Sequence, residues 1–272
     1  MHANKTALAL SLTVLALSVT TVACDGSAVG EGTLGVEIWG EDYIESGIPA
    51  GELADGWAIT FDRFLINVGA ISVAEEGADP AVTEPGFRVF DLTATTGPEQ
   101  IVAVTAPAGT YDHTVYTVAP ASSASGAGNA ADADVQLVAD GGFAVYVEGA
   151  ATDGAETVTF AWGFSRTTVY DPCHSIAVLG DGGSASVQLT IHGDHLFYDD
   201  AVSEEPELRF ADIALADADA DGEVTRAELE AYDITVLPDY GVGSLDIDNL
   251  WGFIEHMTTT LGHIDGEGHC GS

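Results

Sequence analysis

Between Leu34 and His192 the chain is a succession of short runs in which apolar and polar residues alternate, separated by turn signals rich in glycine and proline. That rhythm restricts the fold more than any other feature. Successive side chains on an extended strand point to opposite faces, so alternation marks strands with one face buried. The runs are Gly35–Trp39, Trp57–Val73, Phe87–Leu92, Ile101–Thr105, Tyr111–Ala119, Val135–Val138, Phe143–Glu148, Thr157–Ser165 and Ser186–Ile191. Asn67-Val-Gly69 marks a bend or hairpin inside the longest run, and Gly97-Pro98 and Pro107-Ala-Gly109 mark turns. Strands at intervals of about 8–12 residues, without intervening helical patterns, predict an antiparallel β-sandwich and argue against a parallel sheet. Pro120–Asp134, rich in Ala, Ser, Gly and Asp, reads as a loop on that sandwich.

Beyond Asp199 the pattern changes. Leu208, Ala211 and Leu215 share one face of a helix spanning Glu204–Ala216, and Thr225–Tyr232 forms a second. Leu250, Ile254, Met257 and Leu261 line a third, with Ser244 or Asp246 as its N-cap. The fold class is therefore mainly β: an antiparallel sandwich over residues 34–200, then a helical region over 201–272.

The N-terminus is a targeting segment. Lys5 precedes an apolar run, Ala7–Val19, too short to span a bilayer comfortably. Thr21-Val-Ala-Cys24 then looks like a bacterial lipoprotein cleavage site, which makes residues 1–23 a signal peptide and Cys24 the lipidated residue. Plain secretion with cleavage after Ala23 is the alternative. Residues 24–33 are small, polar and glycine-rich, as in a tether. This reading places the protein outside the cytoplasm, in the cell envelope, touching the membrane through a lipid anchor only. Cys173 and Cys270 remain as an even pair in an oxidising setting and are expected to form a disulfide.

Forty-four acidic residues stand against six basic ones, a formal net charge of −38. Nucleic acids and anionic membranes require cationic surfaces, so both are excluded as partners. Metal cations are favoured.

Asp217-Ala-Asp-Ala-Asp-Gly-Glu-Val-Thr-Arg-Ala-Glu228 matches the spacing D-x-D-x-D-G-x5-E at every required position. In that pattern oxygens from the first, third and fifth residues converge on a cation, glycine makes the sharp turn, and the last carboxylate closes the shell. The stretch resembles the EF-hand family. The resemblance implies a calcium ion held by Asp217, Asp219, Asp221, the Glu223 carbonyl, Thr225 through water, and Glu228. Val224 is expected to point into the core. EF-hands usually pair, and Val242–Phe253 could supply a degenerate partner, or a bare helix could pack there instead.

The histidines suggest a second metal. His174 follows Cys173 and His269 precedes Cys270, so the disulfide is expected to bring both rings together. His192 and His195 close a strand beside Asp194, Asp199 and Asp200, and His263 lies near the C-terminus. Imidazoles with carboxylates suit copper or zinc, so His174, His192, His195, His263 and His269 are candidate ligands. The alternation of Val187–His192 places His192 on the polar face of its strand, where it could instead be structural. His113 and His256 have no visible partners and read as structural.

Phe61–Ile71, Val89-Phe-Asp-Leu92 and Pro107-Ala-Gly-Thr-Tyr111 resemble in layout the exported copper-binding β-sandwich lipoproteins associated with methanobactin. In that family a modified tryptophan takes part in the metal chemistry. No one of Trp39, Trp57, Trp162 and Trp251 is singled out by the pattern.

No nucleophile elbow, Walker loop, dinucleotide fingerprint or H-E-x-x-H occurs, so catalytic residues are not assigned. The sequence supports a lipid-anchored calcium-binding protein with a structural or binding role. Copper or zinc sequestration by the histidines is the alternative, and a metal-dependent hydrolase using His192, Asp194 and His195 is a third reading.

Overall fold

A computed structural model describes residues 30–271; the expected signal peptide, Cys24 and most of the tether lie outside the described residues. Fifteen strands are present among the described residues. They are β1 (Glu31–Trp39), β2 (Ala58–Ala74), β3 (Val82–Glu84), β4 (Arg88–Asp91), β5 (Glu99–Pro107), β6 (Gly109–Tyr111), β7 (His113–Val118) and β8 (Gly126–Ala127). Then come β9 (Val145–Thr152), β10 (Thr157–Phe164), β11 (Thr168–Cys173), β12 (Ala177–Leu179), β13 (Ser184–Ile191), β14 (Glu223–Val224) and β15 (Gly262–Ile264). The helices are α1 (Glu41–Ser46), α2 (Asp132–Gly141), α3 (Ala211–Ala214), α4 (Arg226–Ala231) and α5 (Leu250–Met257). None is long and apolar enough to cross a membrane.

The strands form a sandwich-like arrangement of open sheets. One runs β15-β13-β1-β5; a second runs β11-β7-β2-β9-β10-β14, with β3 and β4 paired to β2 and β8 paired to β4; β12 and β6 form a third, two-stranded sheet. The alternation of the sequence is visible as alternating burial: in β10, Val158, Phe160, Trp162 and Phe164 point inward and their neighbours outward. Sheet pairing departs from the expected antiparallel pattern, because β1 pairs parallel with β13 and antiparallel with β5. The N-terminal strand thus fills the slot between two later strands, a long-range pairing that local alternation does not encode.

Asn67-Val-Gly69 forms no hairpin. β2 continues through it as a single 17-residue strand, and its pairing with β7 shifts register between Gly69 and Ser72. Ala70 carries the extra residue of this bulge at φ +50°, and a Cβ on Gly69 would collide with the Gly86 carbonyl. Val135–Val138 is helical rather than extended, so part of the expected loop is also helix. Asp132 and Asp134 favour the α2 N-terminus, and Gly142 ends it in the left-handed conformation.

The entering helix expected over Glu204–Ala216 shrinks to four residues. Arg209 donates its backbone N–H to Phe197 and Asp199 donates to Glu207, which keeps the preceding chain extended. Asp55 then accepts the N–H groups of Phe210 and Ala211, each at 2.7 Å, so the helix can start only there. Leu215 is consequently exposed. Thr225 caps α4 with a reciprocal bond to Glu228, and Asn249, rather than Ser244 or Asp246, caps α5. Phe210, Leu229 and Phe253 join the same apolar core as Leu34, Phe64 and Trp162.

Candidate metal centres

The histidine cluster is built where β13 meets the C-terminal tail. β13 delivers His192 at its end, and a 3-10 turn over Gly193–Phe197 carries Asp194 and His195. β15 pairs antiparallel with β13, and Thr190 opposite His263 sets the register that brings the third ring across. His192 donates its backbone N–H to the Leu261 carbonyl at 2.9 Å. Two buried, stacked tyrosines hold this strand from beneath: the Tyr116 hydroxyl donates to the His263 carbonyl, and the Gly262 N–H donates to Tyr170. A Cβ on Gly262 would collide with both rings, so glycine is what permits the approach.

The rings of His192, His195 and His263 lie 4.3–5.3 Å apart, centroid to centroid, and His269 is 5.5 Å beyond His263. His192, His195, His263 and Asp194 are buried. Two ligand sets can be drawn, His192 with Asp194 and His195, and His192 with His263 and Glu267; within each, the donor atoms lie within 4.8 Å of one another. His195 directs Nδ1 to the Thr260 hydroxyl at 3.0 Å, which leaves Nε2 as its free donor. Nδ1 of His263 is buried with no hydrogen-bond partner. Such an orphan is costly unless something else satisfies it.

Burial, reinforced by the neighbouring His263 and His192, pushes the His195 imidazole down to about 3. Burial, with His192 and His269 adding to it, pushes His263 down to about 4. Burial raises the Asp194 and Glu41 carboxyls, and His192 opposes both shifts. Two of the rings are therefore neutral at pH 7, with lone pairs free to bind a cation. A cleft of about 680 Å³ opens onto His195, His263, Glu267, His269, Tyr170 and Tyr198.

His174 is not part of this cluster. It is exposed in a separate cleft with His113, Asp112 and Glu76. The disulfide between Cys173 and Cys270 is present, but the two chains diverge immediately beyond it. Ser175 turns in to Thr114, whereas Gly268 pairs back with Ile264. Glu267 and Glu41 were not singled out in the sequence. Glu267 stands four residues after His263 across a tight turn with Asp265 and Gly266 at positive φ, a spacing that could have suggested it. Glu41 comes from the start of α1, and no local signal marks it; its Oε2 lies 3.7 Å from His192 Nε2.

The acidic loop lies elsewhere. Asp217, Asp219 and Glu228 bring carboxylate oxygens within 4.8 Å of one another. Asp221 instead accepts the Glu223 N–H, while Glu228 accepts the N–H groups of Ala218 and Thr225 and the Thr225 hydroxyl. Val224 is buried, and β14 pairs with β10 of the sandwich rather than with a second hand. Trp162 fixes the junction by donating its indole N–H to the Val224 carbonyl at 2.8 Å. Trp39 donates to Glu45, Trp251 stacks on Phe164 and Trp57 packs on Phe210; none of the four tryptophans lines the histidine cleft.

No protein-family model and no curated protein matches the chain. Among solved structures it is similar to MbnP from Methylosinus trichosporium, at 11% identity and a TM-score of 0.33, covering 61% of this chain and 77% of that one.

Proposed function

We propose that this is an exported metal-binding protein that holds copper or zinc through the histidine cluster. The convergence of His192, His195 and His263 from two separated segments, with Asp194 and Glu267 at its edge, supports this reading. Nitrogen donors mixed with carboxylates suit these borderline ions better than calcium, which takes oxygen. The surface agrees with a cationic ligand: Arg63, Arg88, Arg209 and Arg226 are each paired with carboxylates. The disulfide fits a chain that works in an oxidising compartment. Lipid attachment at Cys24 would tether it to the cell envelope.

Protein purified without an affinity tag and analysed for metals tests the reading. Retention of copper or zinc at micromolar supply, lost in a His192→Asn/His263→Asn double variant, is the expected result. No retention of either metal sinks it.

A calcium ion in the acidic loop is a second, compatible reading, motivated by the approach of Asp217, Asp219 and Glu228. Because the loop is joined to β10, that ion would brace the C-terminal helices against the sandwich. A metal-dependent hydrolase would need the same histidine centre with a coordination position open to the cleft.

A further inference from the structure

We propose that the cluster holds two ions rather than one, with the His192 ring shared between them; this rests on the histidine-centred reading above. The donors fall into two sets, and His192 is the only member of both. Its two nitrogens face in different directions. Nδ1 looks toward Asp194, with Oδ1 at 4.0 Å, on the side of the 3-10 turn that also carries His195. Nε2 looks toward the tail, 3.4 Å from the Gly266 carbonyl in the turn that carries Glu267. One position is thus Asp194–His192–His195 and the other His192–His263–Glu267.

The charges are consistent with two divalent ions. Asp194, Glu267 and Glu41 supply three negative charges, and an imidazolate at His192 would supply a fourth against the four positive charges of the ions. The first ion takes a lone pair from one His192 nitrogen. The second displaces the proton on the other nitrogen, which leaves to water, and no electron is transferred. Metal binding that releases a ligand proton is ordinary linkage. Glu41, 3.7 Å from Nε2, lies close enough to balance charge on the tail side.

The test is a titration of the full chain, stripped of metal, with Cu²⁺ in millimolar Ca²⁺ so that the acidic loop is not available. Bound copper is counted after desalting, and electron paramagnetic resonance is recorded at each addition. The expected result is two equivalents per chain, the signal of the first declining as the second enters, because unpaired spins on either side of one ring couple. Asp194→Asn and Glu267→Gln should each retain one equivalent with a persistent signal. Glu267 is exposed, so its substitution leaves the core intact. A single equivalent in the wild type overturns the shared-ring inference and leaves the one-ion reading standing. Two equivalents with additive, uncoupled signals, or two retained by both variants, also overturn it. No bound copper here, together with no zinc retained by the purified protein, overturns both readings.

Discussion

Replacing His195 by glutamine should make the metal-free protein less sensitive to mild acid. In the folded chain the His195 ring is held neutral, with its protonation pushed down to about 3, whereas in the unfolded chain it titrates near 6.5. The folded value is depressed, so this ring's contribution is fully present above pH 6.5 and is lost as pH falls toward 3. At pH 5 the folded ring is still neutral, and the loss is set by the unfolded chain alone: RT ln(1 + 10^1.5), about 2 kcal/mol. His263 acts in the same direction, reduced by the solvent of the cleft it borders. Asp194 and Glu41 have raised values and act in the opposite direction, but both remain in the variant. The assay is urea unfolding in EDTA at pH 7.5 and 5.0, followed by tryptophan fluorescence. Wild type should lose about 2 kcal/mol more than His195→Gln between the two conditions. A difference below about 0.5 kcal/mol would refute the claim that the ring is buried uncharged, since 2 kcal/mol follows from the unfolded value alone. Saturating zinc at one hundred times its dissociation constant should restore about 2.7 kcal/mol to the wild type at either pH.

Trp162→Phe keeps the stack on Phe160 but removes the indole hydrogen bond to the Val224 carbonyl, which remains in the β10–β14 ladder, a loss of about 0.5–1.5 kcal/mol in urea melts. If a calcium ion occupies the loop, the same change should weaken calcium binding by titration calorimetry although Trp162 is no ligand. Chelating calcium should lower the melting temperature of the wild type, and Asp217→Ala and Glu228→Ala should abolish that difference. Equal melting shifts in all three proteins would remove calcium from the account. Replacing Cys173 and Cys270 by serine opens a closure between residues 97 apart and should cost roughly 4–5 kcal/mol by the chain-entropy estimate, read as a lower denaturant midpoint.

How much of this could be read from the chain depends on how local each cause is. Alternation placed β9, β10 and β13 within a few residues of where they lie, because burial of every second side chain is a local property. The helix beginning near Thr225 and the turn at Gly222 were legible for the same reason. The entering helix was not, because what shortens it is Asp55, more than 150 residues earlier, bonded to Phe210 and Ala211. The parallel pairing of β1 with β13 is also a long-range choice between strands of similar pattern. The supposed proximity of His174 and His269 failed on a directional point: a bridge fixes two cysteines, but not the course of the residues beyond them.

The histidine centre lies between these cases. Alternation correctly puts Thr190 and His192 on one face of β13, and that face reads as polar and solvated. It is buried because the tail folds over it: the Gly266 carbonyl accepts from the Thr190 hydroxyl at 2.8 Å and lies 3.4 Å from His192 Nε2. The turn that places Gly266 there also presents Glu267, and β15 before it presents His263. Polar residues sealed under a tail have lost water and gained only partial replacement, as the orphaned His263 Nδ1 shows. A cation is the ligand that would satisfy several such groups at once. The same tail is pinned at its far end by Cys270, so the disulfide and the β13–β15 pairing together keep the lid, and the donors it carries, over His192.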